Sequence, residues 1–296
     1  VLLLQAIVSG LILGSIYAII AQGYYITFVT NRTMNFGQGD FLMLGALVGL
    51  TTLGTVTSAG MNLFVSVLVT MVVVAAAMAM LGWGLERGAI RPLGHVLSVG
   101  WILSTVAVSL MIRNIAMLIW GRNVIPFPSP FGNEVYRFGS VGITKHEIFV
   151  AICAIVIMAC LFFFLNRSLL GKALAAVAFN PDAASLMGIN PRRMAVLAFA
   201  LSSMLAGVGG ILVGPITNTA FFMGATLGLK AFAAAIIGGL TNPLGILIGG
   251  LLLGVIEQVF SLYSSAYKDA SAFLLILIVL IFMPQGLLGK KVKEKF

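Results

Sequence analysis

Runs of about twenty apolar residues follow one another along almost the whole chain, and this feature excludes most folds. A bilayer core of ~30 Å is crossed by about 20 helical residues, and every backbone polar group inside it must be bonded internally. The runs read as candidate membrane segments at Leu2–Val29, Phe41–Thr55, Leu63–Leu85, Val96–Ile119, Ile148–Leu165, Met194–Val213, Met223–Gly239, Leu244–Ser261 and Ala272–Leu288. The second and seventh are short and bounded by glycine, so each reads as a full span, a half-helix or a re-entrant element. Asp, Glu, Lys and Arg make up only 8% of the residues, against about 25% in a soluble domain. The expected fold is an all-α integral membrane bundle, polytopic, with roughly 7–9 segments and short or broken helices. It forms one domain over residues 1–296.

The net charge of +9 suggests no nucleic acid, because Lys and Arg gather at the ends of apolar runs. There they meet anionic lipid and set orientation. Arg87, Arg91, Arg167, Lys172, Arg192, Arg193, Lys290, Lys291, Lys293 and Lys295 fall on one side, and Arg122, Arg137, Lys145 and Lys268 on the other. The richer side is expected in the cytoplasm, with the C-terminus. That assignment places an external hairpin at 120–147, rich in Pro and Gly, and a cytoplasmic segment at 166–193 broken by Asn180-Pro181 into short surface helices. Val1 opens into an apolar run without a basic region, so no cleavable signal peptide is expected. Cys153 and Cys160 are about 10 Å apart along one helix and read as packing residues. His95 and His146 have no ligand-like neighbours, so neither a metal nor another cofactor is expected.

Gly-xxx-Gly spacing recurs at Gly10/Gly14, Gly45/Gly49, Gly224/Gly228, Gly245/Gly249 and Gly250/Gly254. It makes small faces for helix packing, within one bundle or between subunits. Lys230, Glu257 and Arg113 lie inside spans, where a charge costs ~3 kcal/mol or more. Glu257 has two candidate partners, Lys230 and Arg113, and the group reads either as structural ion pairing or as polar lining of a solute path. A repeated design also shows: FGQGDFLMLGALVG and GGLTNPLGILIGGLLLG each set a Gly-bearing turn before a Gly-ridged helix. Paired interrupted segments point to a substrate path. No catalytic set is spelled out, and Lys172 and Lys290 follow Gly without the rest of a phosphate-binding loop.

Within the segment 166–193, Asp182-Ala183-Ala184 is followed three residues later by Gly188. Two small residues suit a helix pressed into a cleft, and a glycine suits its end. The ordered set MNFGQGDFLMLGA, ERGAIRPL, DAASLMGIN, GLKAFAAAIIGGLTNPLGILIGGLLLGVIEQ and MPQGLLG resembles the LivH-like permeases of branched-chain amino acid ABC transporters. The resemblance spans nearly the whole chain, with one departure at Gln38, where the family usually carries His or a similar residue. It implies a permease of the larger ABC importer type, without an ATP site of its own, in a bacterial plasma membrane. The implied partners are a second related permease, two ATP-binding-cassette ATPases and an external solute-binding protein. ATPase coupling is expected at Asp182, Ala183, Ala184 and Gly188, and the translocation path at Lys230, Glu257, Arg113, Asn35, Gly37 and Asp40. The implied solute is a branched-chain amino acid, while relatives serve urea, amides and aromatic acids. The rival reading is a secondary carrier in which Lys230 and Glu257 handle an ion.

Overall fold

The computed structural model describes residues 2–93, 100–132, 134–139, 141–264 and 267–289. His95, the first residues of the fourth expected segment and the four C-terminal lysines of the charge count lie outside them. The helices are α1 (Leu2–Asn31), α2 (Gln38–Ser58), α3 (Leu63–Leu85), α4 (Gly100–Trp120), α5 (Lys145–Arg167), α6 (Leu169–Phe179), α7 (Pro181–Leu186), α8 (Pro191–Thr217), α9 (Met223–Gly238), α10 (Pro243–Ser261) and α11 (Tyr267–Phe282). Among the described residues, seven are long and apolar enough to cross a membrane: α1 to α5, α8 and α10. The second expected segment is therefore a full-length helix of 21 residues, whereas α9 has only 16. The last expected segment is cut short at Phe282. Pro284 cannot continue a helix, and Gly286 takes φ +77°. The following turn returns to the bundle, where the Leu287 and Leu288 amides donate to the Ile237 and Gly238 carbonyls at the end of α9.

Burial separates centre from rim. The apolar windows of α1 and α8 are 61% and 72% buried, while those of α4 and α5 are 17% buried. The outer faces of α4 and α5 present Leu103, Met111, Leu118, Ile155 and Phe163, a surface suited to acyl chains. The glycine pairs pack inside the bundle: Gly10 and Gly14 of α1 face Gly250 and Gly254 of α10, and Gly45 of α2 faces Gly207 of α8. At one end Val135–Phe138 (β1) and Val141–Thr144 (β2) form an antiparallel hairpin in the expected 120–147 segment. Thr144 then opens α5 with a reciprocal cap to Glu147.

The centre has an inverted pseudo-repeat. The long α1 ends at Arg32 (φ 53°) and the long α8 at Asn218 (φ 60°), the two non-glycine residues with positive φ among those described. Each is followed by a short non-helical break, 33–37 or 219–222, and then by α2 or α9. α1 runs antiparallel to α8, with Ile20 against Gly209 and Gly23 against Ser202, and α2 runs antiparallel to α9. The repeat perceived in the amino-acid pattern matched the wrong pair. The counterpart of the FGQGD break is the stretch before Met223, which lacks glycine, whereas GGLTNPLG is the turn joining α9 to α10.

Candidate functional site

The break before α2 is built from its own side chains. Asn35 Oδ1 accepts from the Gly37 amide at 3.0 Å, and Gly37 O accepts from the Asp40 and Phe41 amides, starting the helix. Phe36 stacks on Trp101 of α4 and tilts against Phe232 of α9, which also meets Tyr24 of α1 edge-on. Gln38 is fully used: its Nε2 donates to the Ile20 and Ser202 carbonyls, and its Oε1 accepts from Ser202 Oγ at 2.9 Å. This residue thus ties α2 to both long helices. Asn35 Nδ2 is buried and has no hydrogen-bond partner among the described residues.

Asp40, in the first turn of α2, accepts from Arg113 Nε (3.1 Å) and Nη2 (3.0 Å), and also from Ser109 Oγ. Its placement in the first turn is favourable for a carboxylate, because unpaired amides leave that end partly positive. The sequence-level candidates Asn35, Gly37, Asp40 and Arg113 therefore come together at one place on α2 and α4. Arg113 does not reach Glu257.

Glu257 pairs instead with Lys230. Lys230 Nζ lies 2.8 Å from Glu257 Oε1 and 2.7 Å from Asp269 Oδ1, while Lys268 Nζ is 3.4 Å from Glu257 Oε1 and Tyr17 donates to Oε2 at 2.9 Å. Two cations and two anions make the cluster neutral, which is the condition for holding charge at low dielectric. It binds α1, α9, α10 and α11 to one another. Tyr17, Ser109, Lys268 and Asp269 were missed in the sequence as site residues. Only Lys268 and Asp269 carried a signal, as opposite charges at the edge of an apolar run.

The third constellation is the short α7. Asn180 accepts from the Asp182 and Ala183 amides at its start. At its end Gly188 takes φ +82°, with Gly188 N donating to Ser185 O and Ile189 N to Ala184 O, a paired closure that needs a left-handed residue. Ala184 faces into the bundle and is buried, so its small size serves packing within the chain rather than an outer surface. Large apolar side chains stand outward at and beside it: Leu186 and the C-cap Met187 are 90% and 83% exposed, and Phe179 at the end of α6 is 93% exposed, with Asp182 and Ser185 also exposed.

A bundle of membrane-length helices with two broken elements meeting at its centre, charges neutralised in pairs and an apolar knob on surface helices defines a polytopic membrane permease. Residues 6–283 match the family model described as branched-chain amino acid transport system / permease component, and the chain belongs to that family. It is 33% identical to the high-affinity branched-chain amino acid transport system permease protein LivH of Escherichia coli K12, over 99% of this chain and 97% of that one. It is 32% identical to the corresponding permease protein BraD of Pseudomonas aeruginosa, with the same coverages. The ribose import permease protein RbsC of E. coli K12 is 29% identical over 90% of this chain and 82% of its own. Among solved structures, PsaBC from Streptococcus pneumoniae in complex with Fab matches with a TM-score of 0.48 at 12% identity, covering 94% of this chain and 91% of that one.

Proposed function

We propose that this chain is the permease subunit of a binding-protein-dependent importer that carries branched-chain amino acids across a bacterial plasma membrane. ATP hydrolysis in two partner ATPases drives it, beside a second related permease and an external solute-binding protein. The C-terminus, α6 and α7 then face the cytoplasm, as the Lys and Arg excess requires.

The observation that carries this reading is the α7 knob. A six-residue helix has too few internal hydrogen bonds to persist alone, yet this one is capped at both ends and holds Leu186 and its C-cap Met187 outward, with Phe179 exposed at the end of α6 just before it. Exposed apolar clusters mark protein interaction sites. In this reading Leu186 and Met187, with Asp182 and Ala183 beside them, enter a cleft on the ATPase, while Ala184 and Gly188 set the angle of the helix. The solute path runs past Asn35, Gly37, Asp40 and Arg113, and the Lys230–Glu257 pair fixes the helix bounding it. The secondary-carrier reading is less well served, because both of its candidate ion handlers are engaged in a neutral cluster.

The test is Leu186→Asp together with Met187→Asp in the co-expressed importer. The expected outcome is that the ATPases no longer co-purify with the permease, while the permease remains monodisperse and in the membrane. Retained ATPases with undiminished solute-stimulated hydrolysis would sink the coupling role.

A further inference from the structure

The inner break of the pseudo-repeat opens onto a cleft that neither helix packing nor the coupling knob accounts for. Its volume is about 290 Å³, and it lies between the end of α1, the end of α3 and the starts of α4, α7 and α8. Sites for drug-sized ligands run upward from about 300 Å³, so this one suits a smaller molecule. Beyond Leu85, α3 widens into a π-helical turn, Glu86–Ile90, and a turn of this kind tends to mark a functional position. The turn buries Glu86 in the cleft wall, where Arg91 Nε and Nη2 lie 3.4 and 3.0 Å from its two oxygens. Arg192, in the first turn of α8, also lines the cleft. Among the described residues it has no carboxylate within salt-bridge distance.

The lining thus holds one carboxylate and two guanidinium groups, with a surplus positive charge at Arg192. Thr30 and Thr33 add hydroxyl groups on the α1 side, and Trp101 supplies an apolar wall. The chemistry complementary to that set is a carboxylate, an ammonium group and a compact apolar body on one small molecule. A paired carboxylate retains free lone pairs, so Glu86 can accept from an ammonium while holding Arg91.

We propose that the cleft is a second amino-acid site on the cytoplasmic side, through which imported product restrains the importer. The ligand carboxylate lies on Arg192, its ammonium on Glu86 and its side chain against Trp101. Pro181 of α7 and Pro191 of α8 share the cleft wall with Thr30, Asn31 and Thr33, so an occupant bridges the coupling helix to the break before α2 and resists their relative movement. The inference rests on the import reading for the identity of the ligand and for the side on which it is met.

The experiment uses the complete importer in proteoliposomes, with ATP and test compound trapped inside and leucine-loaded binding protein outside. Internal L-leucine is expected to lower hydrolysis. Leucinol, without the carboxylate, and N-acetyl-L-leucine, without the ammonium, are expected to need about tenfold higher concentrations, as for loss of one charged hydrogen bond. Arg192→Gln is expected to shift the leucine curve by a similar factor, measured against its own uninhibited rate. Normal uptake with hydrolysis indifferent to internal leucine overturns the proposal, as does equal inhibition by all three compounds. Dependence on phosphatidylglycerol content in place of leucine also overturns it, since the occupant is then a lipid phosphate. Binding of labelled leucine to the solubilised complex without binding protein separates this idea from the import reading. Saturable binding weakened by Arg192→Gln supports the site even where uptake fails, and no binding overturns it.

Discussion

Glu257 has no exposed side-chain surface, and three groups answer it: Lys230, Lys268 and Tyr17. Losing Lys230 alone leaves Lys268 at 3.4 Å to swing inward, so Lys230→Met is expected to be tolerated. Removing both cations strands a buried carboxylate, at a cost of about 3–5 kcal/mol. The Lys230→Met/Lys268→Met variant should therefore lose most monodisperse protein on detergent extraction, and adding Glu257→Gln should restore it. Yield of the double variant equal to wild type would show that Glu257 draws no support from these lysines. At this scale the sequence was legible wherever a charge interrupted an apolar run, which is why Lys230, Glu257 and Arg113 stood out. It was silent on Tyr17 and Ser109, because hydroxyl groups are common in spans and carry no signal of what they face. It was also silent on the direction of Ala184, since the spacing of small residues names residue types and leaves helix rotation open.

Two helices cross in backbone contact where Gly39 of α2 sits between Gly224 and Gly228 of α9. A Cβ on Gly39 would lie 2.9 Å from Gly228 Cα, and one on Gly228 would lie 2.5 Å from Gly39 Cα. Backbone cannot yield there as a flexible side chain would, so even one methyl group must separate the helices. Gly39→Ala is expected to cost about 1–3 kcal/mol by overpacking and to lower the temperature of half-inactivation of the reconstituted importer. Gly84→Ala serves as the control, having nothing within 4 Å of a Cβ. Equal effects of the two substitutions would argue against a tight crossing. Helix existence was legible because long apolar runs admit little else in a bilayer. The ends were less so: α2 begins at Gln38 and α11 stops at Phe282, where turn residues and Pro284 override hydropathy. The partner of the inner break escaped notice because its residues, Thr219 to Phe222, contain no glycine and are held from outside. Thr219 and Ile125 exchange backbone hydrogen bonds, and Phe127 packs on Gly214.

The whole molecule has much apolar surface at its centre and few polar groups that are not already spoken for. Gln38, Asp40, Arg113, Lys230 and Glu257 all have protein partners, which leaves little along the axis to grip a solute tightly. An importer fed by a binding protein gains nothing from tight binding in the membrane, because affinity for a resting state slows the step that leaves it. In the proposed import reading, selectivity belongs mainly to the external partner, and the permease is expected to pass what it is handed. The test is an exchange: the same permease complex is assembled with a binding protein specific for leucine or with one specific for a small amide. If uptake follows the binding protein, the path is permissive, and the expected ratio of the two rates tracks docking rather than solute. If both proteins dock and raise ATP hydrolysis but only leucine crosses, the membrane path selects. The Nδ2 of buried Asn35 at the start of α2 is then the first group to substitute, because it is a buried donor at the central break without an acceptor among the described residues.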